Sequence, residues 1–226
     1  MNNTNYSIHE NDYKLLRQNG FQGWGGESFE QRMKGWQATV DVLLASNFFP
    51  ASDARILELG SGAGDSLLPF ANKGYSVSGI EISPTAVQWA NEKFEALGHK
   101  ASFVQGSIVE PFPFANNSFD VVMDAACLHC IIGTDRFLAF KEIHRVLRPS
   151  GFLLISHMVN DPRQLGAEMK FNSDTRTQER SGLPYRSMPT LDQLISEMSS
   201  ADFKINHKIV RNNSWWDHAE LWCSKI

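Results

Sequence analysis

Hydrophobic and polar positions along the chain predict a series of strands and helices. Over residues 29–49, apolar residues recur every three or four positions, which is typical of a helix with one face turned inward. After this segment come short apolar runs rich in β-forming residues and bounded by glycine, proline or polar residues. These runs predict strands over residues 55–59, 75–80, 101–104, 119–123 and 152–156.

Helix signals lie between and after these strands. Ser83 is a suitable N-cap and Pro84 a suitable first helical residue. A helix is also predicted over residues 134–147, with Phe137 among its inward-facing residues. Thr190 begins a capping-box pattern, which predicts a further helix near the end of the chain.

Alternating strands and helices predict an α/β fold with a doubly wound, mostly parallel seven-stranded sheet and helices on both of its faces. The last two β-type segments, 203–210 and 219–223, are joined without room for a helix. They are therefore expected to form a C-terminal antiparallel β-hairpin at or near a sheet edge. We assign residues 51–226 to this domain and residues 1–50 to an N-terminal polar tail, loose over its first dozen residues, and a helical cap.

Residues 158–189 interrupt the alternation. This stretch is polar, contains several prolines and glycines, and is longer than an ordinary connection between two elements. We interpret it as a substrate-side insertion or lid, with a plain surface loop as the alternative.

Composition and charge exclude several classes of function. The chain has 226 residues and a formal net charge of −4, and its Lys and Arg residues form no long run. Nucleic-acid and membrane-surface binding are therefore not expected. No apolar run approaches the roughly 20 residues that cross a bilayer, and the amino terminus lacks the features of a secretory signal. With only three cysteines, we expect a cytoplasmic protein with reduced thiols.

A glycine-rich turn follows the first predicted strand. Gly60, Gly62 and Gly64 would let the backbone turn tightly and approach a ligand closely. The second strand ends near Glu81, whose carboxylate can accept two hydrogen bonds from a ribose diol. A dinucleotide fingerprint would need a glycine at position 65, where Asp65 stands instead and would repel phosphate. The pattern therefore favours a nucleoside ligand with an amino-acid end and no phosphate.

Four motifs in this order resemble those of a known family. They read ILELGSGAGD, GIEIS, FDVVMDAACLH and KEIHRVLRPSGFLLIS. They resemble the successive motifs of class I, Rossmann-like S-adenosylmethionine-dependent methyltransferases, and are most similar to the type 11 group, which includes ubiquinone and menaquinone biosynthesis enzymes. The resemblance covers roughly residues 55–157 and the closing hairpin. It implies S-adenosylmethionine as cofactor, bound by Glu58, Gly60, Ser61, Gly62, Gly64, Glu81, Ile82, Gly106, Ser107, Ile108, Asp124 and Ala125.

The resemblance also implies a role for particular side chains. Glu58 would order the glycine loop and the amino-acid end of the cofactor, and Ile82 would pack on the adenine. Ser107 stands where the family often has an aspartate that accepts a hydrogen bond from the adenine amino group. Asp124 would lie beside the methionine amino group, or it simply caps the following turn.

Methyl transfer by in-line displacement needs mainly alignment and exclusion of water, and a general base only for some acceptors. His129 and His157 are the candidate catalytic residues, with hydrogen-bonded structural histidines as the alternative. Cys127 and Cys130 form a C-x-x-C pair that would suit zinc, redox chemistry or metalloid capture. Because no second pair of suitable spacing exists, we favour small buried thiols and expect no metal.

The acceptor is expected to be a small molecule. The fourth strand ends in Asp-Ala-Ala rather than the Asn/Asp-Pro-Pro-Tyr of enzymes that methylate exocyclic or amide nitrogens. Candidates for lining an aromatic substrate pocket are Trp24, Arg32, Trp36, Trp215 and Trp216. A non-catalytic S-adenosylmethionine-binding module and a nicotinamide-dependent oxidoreductase are the alternatives, and the oligomeric state stays open.

Overall fold

A computed structural model describes residues 8–226 of the chain. Within this range the helices are α1 (Ile8–Gln18), α2 (Phe29–Ala45), α3 (Leu68–Ala71), α4 (Pro84–Ala96), α5 (Asp135–Val146) and α6 (Leu191–Ser200). The strands are β1 (Arg55–Leu59), β2 (Ser76–Glu81), β3 (Ala101–Gln105), β4 (Phe119–Asp124), β5 (Leu147–Val159), β6 (Met169–Asn172), β7 (Thr177–Arg180), β8 (Leu183–Ser187), β9 (Phe203–Asn212) and β10 (Asp217–Lys225). Short 3₁₀ turns cover Gly26–Ser28, Asp65–Leu67 and Leu128–Cys130.

Seven strands form one sheet in the order β3-β2-β1-β4-β5-β10-β9. The first five run parallel, and β10 pairs antiparallel with both β5 and β9. In the centre of the sheet, Leu57 of β1 lies between Ser78 of β2 and Val122 of β4. The predicted α/β fold, with its mostly parallel sheet and closing hairpin, is confirmed.

The central strands are buried on both faces, because successive side chains point to opposite sides of a sheet. Leu57, Val122 and Leu153 pack on one face, and Ile56, Val121 and Leu154 on the other. Helices α5 and α6 cover the first face, while α2, α3 and α4 cover the second. The nearly continuous apolar runs seen in the sequence follow from this double burial.

The order of the strands creates a crevice beside β1. From β1 the chain proceeds outward to β2 and β3, and then returns to place β4 and β5 on the other side of β1. In such sheets, ligands bind beyond the carboxyl ends of the strands at this reversal. The glycine-rich turn, Glu81 and Asp124 all follow or end strands at this edge.

Local capping signals predict two of the helices correctly. The Ser83 hydroxyl accepts a hydrogen bond from the Ala86 amide at 3.1 Å, and α4 begins at Pro84. At α6 both hydrogen bonds of the capping box form, between Thr190 and Gln193.

One local prediction is wrong. Phe137 is 71% exposed, because the buried side of α5 runs through Arg136, Ala139 and Phe140 instead. Asp65 begins a 3₁₀ turn whose cap position is occupied by Gly64, and its carboxylate forms an ion pair with Lys93.

The amino-terminal segment is more ordered than its polar sequence predicts. Residues 1–7 lie outside the described residues, but residues 8–12 belong to α1 rather than to a loose tail. Glu10 of this helix accepts hydrogen bonds from the hydroxyls of Ser83 at 2.6 Å and Thr85 at 2.7 Å. Tertiary contacts of this kind, rather than local propensity, stabilise a short polar helix.

Residues 158–189 contain strands that the sequence did not predict. β5 continues to Val159, and a three-stranded antiparallel sheet in the order β6-β7-β8 follows it. β8 packs against the Leu128–Cys130 turn, so this small sheet stands at the carboxyl edge of the large one. Its role as a substrate-side insertion, like the division of the chain at residue 51, stays a prediction.

None of the helices within residues 8–226 is long and apolar enough to cross a bilayer.

Candidate functional site

A cavity of about 580 Å³ lies at the carboxyl edge of the large sheet. Most of the residues that the sequence assigned to the cofactor line it: Glu58, Gly60, Ser61, Gly62, Glu81, Ile82, Gly106, Ser107, Ile108 and Ala125. Gly64 and Asp124 lie behind this wall and are not part of it.

The glycine loop is shaped by close neighbours. Gly60 and Gly62 have φ angles of 58° and 54°, in the left-handed region that favours glycine. A Cβ on Gly60 would overlap the sulfur of Cys127, and one on Gly62 would overlap the hydroxyl of Tyr13. A Cβ on Gly64 would lie 2.9 Å from the rings of both Phe94 and Phe103, so this glycine serves packing behind the loop.

Glu81 connects the end of β2 to the glycine loop. Its carboxylate accepts hydrogen bonds from the amides of Gly62 at 3.0 Å and Ser83 at 2.8 Å. Burial raises the pKa of Glu81, and these backbone hydrogen bonds lower it in part. Each carboxylate oxygen has a second lone pair, so both can also accept a ligand hydroxyl.

Two further carboxylates are buried at the ends of β1 and β4. Glu58 accepts from the Ser66 hydroxyl through one oxygen, and Asp124 accepts from the amides of Cys127 at 2.6 Å and Leu128 at 2.9 Å. Within residues 8–226, the second oxygen of each has no hydrogen-bond partner. Burial raises the pKa of both groups, that of Asp124 to about 6.

These features fit S-adenosylmethionine. Buried acceptors without donors are costly, and an ammonium group offers donors and a positive charge. Glu58 and Asp124 lie on adjacent strands, because Asp124 of β4 pairs with Leu59, the residue that follows Glu58 in β1. The glycine loop gives close approach, and Glu81 offers acceptors for a ribose diol. The residues present therefore suit a nucleoside with an amino-acid end.

On the predicted adenine side, Ser107 departs from the pattern of the family. Ile82 and Ile108 provide apolar wall, and the Gly106 amide donates to the Glu81 carbonyl at 2.9 Å. The Ser107 hydroxyl accepts from the Val109 amide at 3.4 Å. Ser107 therefore shapes its own turn, while an aspartate at this position would offer a carboxylate acceptor.

The two candidate histidines have different surroundings. His129 lines the cavity, and its Nδ1 is buried with no hydrogen-bond partner among the described residues. Burial, with a further contribution from the charge of Arg186, holds the pKa of His129 well below its usual range. The imidazole is therefore neutral at pH 7, as a general base must be.

His157 is fully buried and does not line the cavity. Its Nδ1 donates to its neighbour's carbonyl, that of Met158, at 2.6 Å, and its Nε2 accepts from Arg136 at 3.1 Å. Both ring nitrogens are thus occupied, and the ring stands 6.1 Å from that of His129, nearly perpendicular to it. This geometry gives His157 a supporting position behind His129.

Arg136, which the sequence did not single out, holds the turn that carries His129. Its guanidinium donates to the carbonyls of Leu128 at 2.7 Å and Ile131 at 3.3 Å. It also makes two hydrogen bonds with Glu197 of α6, at 2.7 and 2.6 Å. The buried charge thus joins the turn of His129 to α5, α6 and β5.

Cys127 and Cys130 line the cavity as free thiols. Burial raises the pKa of both, that of Cys130 to about 11, so neither is a thiolate at neutral pH. Within residues 8–226, no group of three or more His, Cys, Asp or Glu side chains could hold a metal ion.

Other cavity residues come from elements distant in the sequence. Of the aromatic-pocket candidates, Trp24, Arg32, Trp36 and Trp216 line the cavity, whereas Trp215 does not. The sequence reasoning missed several lining residues: His9, Tyr13, Arg186, Arg211, His218 and Glu220. For Arg186 the one available signal was its position in the segment interpreted as a substrate-side insertion.

Comparison with known proteins connects this site to a family. Residues 57–155 match the family model described as methyltransferase domain, type 11. The phthiotriol/phenolphthiotriol dimycocerosates methyltransferase of Mycobacterium leprae is 39% identical over 104 residues, which are 45% of this chain and 37% of that protein. The ubiquinone/menaquinone biosynthesis C-methyltransferase of Geotalea daltonii is 32% identical over 109 residues, 46% of each chain.

Among solved structures, the 1,6-didemethyltoxoflavin-N1-methyltransferase of Burkholderia thailandensis, with bound S-adenosylhomocysteine, has a TM-score of 0.69 at 19% identity. The match covers 97% of this chain and 88% of that one, so the similarity of fold extends through the N-terminal cap and the insertion. The chain spans less than half the length of the two curated relatives described above.

Proposed function

Because residues 57–155 belong to the type 11 group of class I, S-adenosylmethionine-dependent methyltransferase domains, we propose that the whole protein transfers a methyl group from S-adenosylmethionine to a small-molecule acceptor. The products are the methylated acceptor and S-adenosylhomocysteine. The single observation that carries the proposal is the glycine loop with buried carboxylates at its two flanks, Glu58 and Glu81.

The cofactor side is divided among residues of β1, β2 and β4. Glu58 holds the amino-acid end, with Asp124 buried behind the wall at the end of β4, Gly60 and Gly62 give close backbone approach, and Glu81 accepts from the ribose hydroxyls. When bound, S-adenosylmethionine supplies an activated methyl group on a sulfonium sulfur. The protein therefore needs to align the acceptor and exclude water, rather than to activate the donor.

Helices α1 and α2 and the β6-β7-β8 sheet supply the walls that exclude water. Trp36 is fixed by a hydrogen bond from its indole nitrogen to the Ser66 carbonyl at 2.8 Å. Trp24 packs against Tyr13, with 5.2 Å between ring centroids. Rigid aromatic walls of this kind restrict the acceptor to few orientations.

His129 is the residue that we assign to proton removal. It lines the cavity, its lowered pKa keeps it neutral at pH 7, and its buried Nδ1 has no hydrogen-bond partner among the described residues. An acceptor hydroxyl or amine would pass its proton to this imidazole as the methyl group arrives. His157, which the sequence also put forward, serves instead to position the turn of His129.

The net charge of −4 and the three free cysteines support a small acceptor and a cytoplasmic location, rather than nucleic acid or an oxidising compartment. The test is to incubate the protein and methyl-labelled S-adenosylmethionine with an extract of its source organism. Label in the small-molecule fraction, lost in a Glu81→Ala control, is the expected result. Label confined to protein or nucleic acid, or no transfer at all, would contradict the proposal.

A further inference from the structure

We call the part of the cavity wall outside the residues assigned to the cofactor the acceptor half. Three guanidinium groups belong to it, those of Arg32, Arg186 and Arg211. Arg211 is neutralised by Glu220 at 2.7 Å. For Arg32 and Arg186, no ion pair is found with any residue in the range 8–226. The acceptor half therefore carries two cations without a carboxylate partner.

Arg186 is the better placed of the two. It lies on β8, which packs against the turn of His129. The ring of Tyr185 lies 4.8 Å from its guanidinium carbon and supports it from one side. Its charge contributes to the lowered pKa values of both His129 and His9, whose main cause is burial. Arg186 thus brings a fixed positive charge to the wall beside the candidate base.

Arg32 lines the cavity from α2. Its side chain crosses the backbone of Gly25, where a Cβ would lie 2.7 Å from its Cδ. Burial lowers the pKa of His218, and Arg211 and Arg32 lower it further, so Arg32 acts on the same part of the cavity. A neutral His218 adds no charge that would compensate either arginine.

We propose that the methyl acceptor is an aromatic carboxylic acid whose carboxylate pairs with Arg186, a refinement that rests on the proposed function. A guanidinium presents paired donors that match the two oxygens of a carboxylate. The flat walls formed by Trp24, Trp36 and Trp216 suit a ring. The charge of Arg186, which has no ion-pair partner among residues 8–226, would repel a cationic acceptor.

The test uses protein saturated with S-adenosylhomocysteine, titrated calorimetrically with hydroxybenzoates and hydroxynaphthoates and with their primary amides. Each amide matches its acid in shape and lacks the charge. The variants are Arg186→Gln and, as a matched control, Arg180→Gln. Arg180 belongs to the same small sheet and also approaches Tyr185, at 5.8 Å, but it does not line the cavity.

We expect at least one acid to bind with a Kd of about 1 mM or tighter, and its amide to bind roughly tenfold more weakly. Arg186→Gln should abolish this preference and Arg180→Gln should keep it. Amides that bind as well as acids, a preference that survives in Arg186→Gln, or no binding of any acid would overturn the inference. Failure of S-adenosylhomocysteine itself to bind would instead remove the proposed function, and the inference with it.

Discussion

The hydroxyl of Tyr13 lies directly against the backbone of Gly62, in the space that a Cβ on that glycine would fill. Tyr13 belongs to α1, far from the glycine loop in sequence, and only 6% of its surface is exposed. The helix thereby closes one side of the cavity and contacts the glycine loop of the predicted cofactor site. Ligand binding and the packing of α1 against this loop are therefore expected to depend on each other.

Substitution Gly62→Ala should weaken the binding of S-adenosylhomocysteine at least about tenfold, because the added methyl group displaces Tyr13 or the loop. Calorimetric titration measures this effect. The control is Gly98→Ala, since Gly98 has a φ of 73° but no atom within 4 Å of its Cβ position. Both variants bear a backbone strain of about 1–2 kcal/mol, so only the overlap differs. Equal affinities in the two variants would separate Gly62 from the site.

Glu10 connects α1 to the start of α4. Partial burial raises the pKa of Glu10, but hydrogen bonds from Ser83 and Thr85 outweigh it and bring the pKa to about 2. Because the folded pKa lies below the usual 4.5, this contribution to stability is complete above pH 4.5 and is lost as the pH falls towards 2. We expect Glu10→Gln to reduce that acid-dependent loss and to increase hydrogen exchange in residues 8–18. An unchanged exchange rate would mean that the contact does not hold the helix.

The sequence predicted elements that carry their own local signals. Strands β1, β4 and β5 are apolar runs bounded by turns, and α4 and α6 have capping residues. Helix α1 was missed because its sequence is polar and its stability comes from contacts with Ser83 and Thr85. The small sheet was missed because its strands are short and polar, so neither apolar runs nor clean alternation marks them.

Arg136 should be important for stability because its charge is buried and it donates to the buried carbonyls of Leu128 and Ile131 and to Glu197, whose side chain is 30% exposed. Arg136→Met removes the donors to the carbonyls of Leu128 and Ile131 and leaves Glu197 unpaired, so we expect a loss of about 3–5 kcal/mol in the free energy of unfolding. Urea denaturation measures it. The same change at Arg148, which is half exposed and paired with Asp120, should cost less than about 1 kcal/mol. Comparable losses of unfolding free energy in both variants would mean that the buried contacts of Arg136 add no more stability than those of a half-exposed arginine.

The lowered pKa of His157 predicts how stability depends on pH. Burial and the neighbouring Arg136 hold this pKa well below the usual 6.5, so below pH 6.5 the unfolded chain binds a proton at His157 more readily than the folded protein does. Stability from this group is therefore complete above pH 6.5 and is lost as the pH falls below it. His157→Gln should lose less stability than the wild type between about pH 7 and pH 5, by at most about 2 kcal/mol. Denaturant unfolding at both pH values checks this; parallel losses would mean that His157 titrates normally.

The cofactor half of the site could be predicted from sequence because its residues lie directly at strand ends. Glu58, Gly62 and Glu81 follow from the position of β1 and β2 alone. The acceptor half could not, because Tyr13, Arg186 and His218 come from three separate elements whose meeting depends on the whole topology. The same reason separates His129 from His157: His129 follows β4 and His157 lies within β5, but only packing places one at the cavity wall and the other away from it.

The most direct measurement is calorimetric titration of the purified protein with S-adenosylmethionine, S-adenosylhomocysteine and NADH, each repeated with Glu81→Ala. Circular dichroism establishes that the variant is folded, since Glu81 also supports the glycine loop. We expect micromolar binding of both adenosyl ligands, clear weakening in the variant and no binding of NADH. A folded wild-type protein that binds neither adenosyl ligand, or that binds NADH in their place, would contradict the assignment of this site to S-adenosylmethionine.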